Sequence, residues 1–176
     1  MKALVVYESM FGNTEAVARA VASGLGEHLA VHLCEVSKAP TPITELVDLI
    51  VVGGPTHAFS LSRPATREQA LGQGATQGEQ NLGLREWLAG LHKGPHSEVV
   101  AAFDTRVDHA RRLPGSAAKK AEKVVRALGY APAGRESFWV EDTRGPLVPG
   151  ELERAAAWGR SLAVDLTAPH GQPVAR

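Results

Sequence analysis

Short apolar runs alternate with amphipathic stretches along this chain. Ala3-Leu4-Val5-Val6-Tyr7 predicts a buried strand. Residues 15–22 follow at helical spacing, with Val17, Val21 and Leu25 on one face. Gly24 and Gly26 are expected to end that helix. Residues 29–36 alternate as a second strand with one more exposed edge. After a loop over 37–42, residues 42–46 read as a short helical turn. Residues 48–54 form a third apolar run, closed by Gly53 and Gly54, and predict a central strand. From Leu61 to about Asn81 the chain is polar and rich in Gly, Gln and Thr. A connection this long predicts a mobile, functional segment.

The pattern resumes at residues 84–91, a helix with Trp87, Leu88 and Leu91 on one side. Residues 98–104 are a fourth strand, and 105–115 are a polar loop. Ser116 caps a helix that runs to Leu128 and ends at Gly129. Residues 136–141 read as the last strand, with Trp139 facing the core. Residues 150–166 are a closing helix whose apolar set is Leu152, Ala155, Ala156, Trp158, Gly159 and Leu162. Strands and helices alternate throughout, so the expected class is α/β: a mainly parallel sheet with helices on both faces. One domain over 1–166 and a loose tail over 167–176 are expected.

Composition narrows the function classes. Lys and Arg total 19, and Asp and Glu also total 19. A neutral chain argues against nucleic acid or an anionic membrane as partner. No apolar run is long enough to span a bilayer, and the N-terminus lacks a signal-peptide pattern. The single cysteine, Cys34, reads as core and fits a reducing cytoplasm. No metal-ligand cluster and no catalytic acid–base pair emerges.

In an open parallel sheet, ligands bind beyond the carboxyl ends of the strands. Three polar loops fall there: 9–14, 53–62 and 104–115. The first, Ser9-Met10-Phe11-Gly12-Asn13-Thr14, joins a strand to a helix. Its hydroxyls, amide and flexible glycine gather where the helix exposes unpaired N–H groups, which suits an anion. Ser, Asn and Thr are also ordinary helix caps, so a purely structural loop stays open at this point. The loop has no Gly-Lys-Ser/Thr and no GxGxxG, so it is neither common nucleotide motif.

The three loops together, in this order, resemble the flavodoxin family over the whole chain, in its short-chain form. The resemblance implies a doubly wound, flavodoxin-like fold: a five-stranded parallel sheet in the order 2-1-3-4-5. It implies FMN as cofactor. Ser9, Met10, Phe11, Gly12, Asn13 and Thr14 match the family's phosphate loop, whose N–H and O–H groups wrap the phosphate. Gly53-Gly54-Pro55-Thr56-His57-Ala58-Phe59 matches the first ring-binding loop. Pro55 and Thr56 are expected at the ribityl chain and ring edge, and His57 at the place of a stacking aromatic. Asp104, Thr105 and Arg106 are expected near the pyrimidine edge.

The chain also departs from the family. Electron-carrier flavodoxins are acidic, whereas here Arg63, Arg67, Arg106, Arg111 and Arg112 are set against Asp104 and Asp108. The third loop has no Tyr or Trp, which leaves Phe11 and Phe59 as aromatic candidates. Ala58 replaces a glycine often found beside the stacking aromatic, and alanine resists positive φ. Transfer of electrons in pairs is therefore expected. The implied function is electron transfer between a donor and an acceptor, either a redox partner protein or a small molecule. Two alternatives stand beside it: an FMN-dependent NAD(P)H or quinone oxidoreductase, and a flavin-free docking module.

Overall fold

The computed structural model describes residues 1–168. Five parallel strands form the sheet: β1 (Lys2–Tyr7), β2 (Ala30–Glu35), β3 (Leu49–His57), β5 (Val99–Val107) and β6 (Ala131–Val140). A sixth strand, β4 (Ser60–Leu61), pairs antiparallel with the end of β3. The sheet order is β2-β1-β3-β5-β6, with β4 off that path. This corrects the expected five strands to six. The sequence hid β4 because two residues carry no periodicity.

Alternation along β1 divides the core. Ala3, Val5 and Tyr7 face α1 (Asn13–Leu25) and α5 (Glu151–Thr167). Leu4 and Val6 face α3 (Leu84–Ala89) and α4 (Ala117–Leu128). The same two-sided burial runs through Leu49–Val52 of β3. A strand buried on both faces must be apolar at every position, as these are.

Where α1 crosses α5, glycines bring the two backbones together. A Cβ on Gly24 would overlap the Ala156 carbonyl, and one on Gly159 would overlap the Val21 carbonyl. Gly24 thus lies inside α1 as a packing residue, whereas Gly26 is the cap. Leu152, expected in the apolar set of α5, is 42% exposed.

The 61–81 region departs most from expectation. It starts on the last residue of β4 and holds a further helix, α2 (Pro64–Gly72). Its anchor is Arg67, which is fully buried. Arg67 Nε donates to the Gln80 carbonyl at 2.8 Å and Nη1 to Ser62 Oγ at 2.7 Å. Nη2 lies 2.9 Å from Glu86 Oε2. Arg85 adds bonds to the Ser62 and Leu61 carbonyls at 2.8 and 2.7 Å. Polar bonds thus order a segment that has few buried apolar residues. The helical turn expected over 42–46 is not formed; a 3-10 turn covers Val36–Lys38 instead. β6 begins at Ala131, five residues before its expected start. Of the expected tail, Thr167 ends α5, and 169–176 lie outside the described residues.

β3 turns into β4 through Ala58 and Phe59, with φ of 46° and 63°. The expectation that alanine avoids positive φ fails here. A two-residue hairpin with the strand twist needs left-handed residues at both positions. The strain of two non-glycine residues there costs about 1–2 kcal/mol each.

The glycine crossing yields a stability prediction. Gly159→Ala should destabilise the chain by about 1–3 kcal/mol, because neither backbone can withdraw. Gly72→Ala, which adds a Cβ to open space, should cost nothing measurable. Urea unfolding of both variants reads the difference, and equal midpoints would contradict the close crossing.

Candidate functional site

The sheet's carboxyl edge opens into a cleft of about 150 Å³. From the first loop it takes Met10, Phe11, Asn13 and Thr14; from the end of β3, Pro55, Thr56 and His57; from β5, Thr105 and Arg106. Val107, Val140 and Thr143 complete the lining. Those three lay outside the expected set: Val107 and Val140 are apolar strand ends, and the Glu141–Arg144 stretch carried no ligand-loop pattern. Ser9 and Gly12 underlie the cleft: buried Ser9 accepts the Gly12 N–H at 3.1 Å. Ala58 and Phe59 line neighbouring cavities instead.

Asp104 is not in the cleft. It is fully buried and accepts the Ala118 N–H at 2.8 Å. Thr56 Oγ1 accepts from Ala117 N at 2.9 Å, and Ser116 Oγ from Lys119 N at 3.2 Å. The first-turn donors of α4 are therefore consumed.

The opposite holds at α1. Its N-cap is Gly12, at φ 89°, and no side chain caps it. Among the described residues, the N–H groups of Asn13, Thr14 and Glu15 have no acceptor. The side chains that might have capped them are engaged elsewhere. Asn13 Nδ2 donates to the Arg144 carbonyl at 3.1 Å, and the Thr14 hydroxyl pairs with that of Thr105 at 2.8 Å in a buried bond. The reading of this loop as ordinary capping therefore fails. Three backbone donors and the positive end of a helix dipole converge there. The Thr14–Thr105 pair uses one of its two hydroxyl protons, so one remains for a ligand.

The 61–81 segment buttresses this loop. Gln77 N donates to the Met10 carbonyl at 3.3 Å, and Gln77 Nε2 donates to Glu15 Oε2 at 2.6 Å. Buried Glu8, next to the loop, accepts the Leu84 N–H at 2.7 Å. Burial pushes the Glu8 carboxyl up, against the pull of Ser62, Leu84 and Arg67.

The expected basic rim contracts. Arg67 is interior, and Arg111 pairs with Asp108 and lies 4.7 Å from the centroid of the Trp139 ring. Trp139 is thus half-buried under arginines rather than core. Arg106 is tethered: its Nη2 donates to the Ala110 and Leu113 carbonyls, each at 3.0 Å. Its Nε is buried without a partner, on a side chain that lines the cleft. Such an orphan donor suits a ligand oxygen or nitrogen. Cys34 is half-buried, and burial, with Glu35, pushes its thiol up to about 11, so it stays protonated. Among the described residues no cluster of three or more His, Cys, Asp or Glu could hold a metal, and no helix is long and apolar enough to cross a membrane.

No family model and no curated protein matches this chain. Solved structures do. A flavodoxin from the domain Archaea is 20% identical, with a TM-score of 0.63, over 96% of this chain and 100% of that one. A short-chain flavodoxin associated with a non-canonical PDU bacterial microcompartment is 16% identical, with a TM-score of 0.67, over 95% and 99%. Oxidised flavodoxin 2 from Bacillus cereus is 20% identical, with a TM-score of 0.62, over 94% and 99%.

His57 carries a titration prediction. Burial first, and then the charge of Arg67, holds its imidazolium pKa below the ordinary value. The unfolded chain therefore binds more protons below about pH 6.5, and His57 becomes increasingly destabilising as pH falls through that point. Proton NMR of the imidazole should give a midpoint below about 6.5, with the resonance identified by its loss in His57→Gln. A midpoint above that value would mean that the ring is not buried as described.

Proposed function

We propose that this chain, whose fold is flavodoxin-like, binds FMN in the cleft at the carboxyl edge of its sheet and carries electrons between a donor and an acceptor. One observation supports this reading above the others. The helix N-terminus at the cleft has no protein cap, although residues able to cap it are present. A dianionic phosphate is the ligand that such a set of donors suits.

The chain's own residues fit the rest of the molecule. Asn13, Thr14 and Glu15 would hold the phosphate through backbone N–H groups, and the Thr14–Thr105 pair through its remaining hydroxyl proton. Pro55 and Thr56 would lie along the ribityl chain. Arg106, tethered by two carbonyls, would offer its free Nε–H to the ring's polar edge. Bound there, FMN supplies the redox chemistry, and the protein supplies binding, orientation and electrostatics. Asp104, which lies outside the cleft lining, spends one carboxylate oxygen on the first turn of α4. The argument for paired electron transfer from a reluctant Ala58 falls away, since Ala58 already lies at positive φ.

A second reading, an FMN-dependent oxidoreductase, draws on one specific observation. A further cavity of about 340 Å³ adjoins the cleft across Phe11, Thr56, His57 and Thr143. A flavin-free docking module is disfavoured by the uncapped donors, which would then be left without a ligand.

Calorimetric titration tests the cofactor assignment. FMN should bind, and riboflavin much more weakly. Thr14→Ala should cost about 1–3 kcal/mol of FMN affinity and little of riboflavin's. Arg106→Leu should weaken both ligands alike. Equal affinity for FMN and riboflavin would overturn the phosphate site.

A further inference from the structure

Two large apolar side chains stand out from the carboxyl edge without lining the cleft. Phe59 is 52% exposed and Leu113 is 46% exposed. They belong to one patch. Gly115 packs so closely against the β3–β4 turn that a Cβ on it would lie 3.1 Å from Phe59 Cβ. The turn that presents Phe59 is strained, with both central residues at positive φ and neither a glycine. A bulky residue held in that region at the surface is an outlier that folding alone does not favour.

Positive charge surrounds the patch. Residues 105–123 carry six Lys and Arg against two Asp and Glu, in a chain whose totals are equal at 19. Both acids are engaged: Asp108 pairs with Arg111, and Glu122 with Arg126 and Arg135. Arg112, Lys119 and Lys120 are exposed, and among the described residues their side chains form no ion pair or hydrogen bond. Lys119 stands three residues after the cap Ser116, where a capping box would have Glu. The first turn of α4 has no acid of its own, and the positive end of a helix dipole repels lysines. The buried Asp104 carboxylate at that turn offsets one of these charges at most. Local stability thus explains neither the exposed aromatic nor the lysines beside it.

We propose that this patch docks an acidic protein, whose carboxylates ring an apolar contact for Phe59 and Leu113. The charge sets the sign of the partner, and the two apolar side chains set the centre of the contact. Two such side chains are too few to seat the chain in a bilayer, which takes a whole apolar face. They suit a small, transient protein interface. Only the partner's redox role rests on the FMN reading, because Phe59 is two residues from His57 of the cleft.

The probes are an acidic plant-type ferredoxin, basic cytochrome c and phosphatidylserine vesicles. Each is titrated into the full 15N-labelled chain, FMN-loaded and FMN-free, and followed by amide shifts. The ferredoxin should shift amides over 58–60 and 108–120, and its affinity should fall about tenfold between low and physiological salt. Arg112→Glu with Lys120→Glu should weaken it by about tenfold or more and pass the preference to cytochrome c, a gain that a misfolded chain would not show. Phe59→Ser should weaken it about fivefold at every salt concentration. Absence of those shifts, tighter binding of cytochrome c to the unsubstituted chain, or an unchanged preference in the charge-reversed variant would each overturn the docking surface. Loss of the ferredoxin shifts to added vesicles would overturn it too, and assign the patch to a membrane. A chain that docks ferredoxin but never binds FMN would sink the cofactor reading and leave this one standing.

Discussion

The close backbone crossing of α1 and α5 is the constraint on which the site depends. Unpaired N–H groups make an anion site only if they cannot turn away or find other partners. Gly24 and Gly159 bring the helix backbones into contact, and no side chain lies between them to yield. Val17, Val21 and Leu25 then press α1 onto β1 and β3. The donors of Asn13, Thr14 and Glu15 are thus held at the sheet edge by packing that begins two to three turns away. The left-handed Gly12 completes the arrangement, by turning the chain sharply into the helix without supplying a cap.

A second, polar framework carries the other wall. The guanidinium of Arg67 gathers Ser62, Gln80 and Glu86. Gly83 has no room for a side chain, since a Cβ there would crowd Arg67 and Glu8. Through Thr66 this framework orients His57, and through Gln77 it reaches Met10 and Glu15. Removing one partner from a buried charge cluster leaves the other stranded, which is costlier than losing an exposed pair. The framework therefore behaves as a unit.

Much of this was legible in the sequence, and the reasons are physical. Apolar runs at period two and period 3.6 marked β1, β3, β5, α1 and α4, because burial on defined faces leaves that signature. The place of the first loop at the sheet edge was legible from its polar run, Ser9 to Thr14, between a strand and a helix. What escaped was held by polar contacts or by shape. Arg67 reads as a surface residue until its partners are known. Gly24 reads as a helix stop, although its task is packing. Asp104 sits within a ligand-loop pattern, but its carboxylate closes the end of α4. β4 and the Ala58–Phe59 turn carry no glycine to announce them, and Thr143 joins the cleft from a stretch with no periodic pattern.

The two frameworks answer differently to heat. Burial of apolar surface, which fixes α1, weakens on cooling and levels off on warming. The charged cluster around Arg67 behaves otherwise, because the hydration that its groups forgo becomes less favourable as temperature rises. Warming therefore shifts the balance of rigidity across the cleft toward the α2 wall, and chilling weakens the hydrophobic seating of the α1 wall. Temperature alone can in this way alter how the two sides of one cleft meet, without any change in sequence.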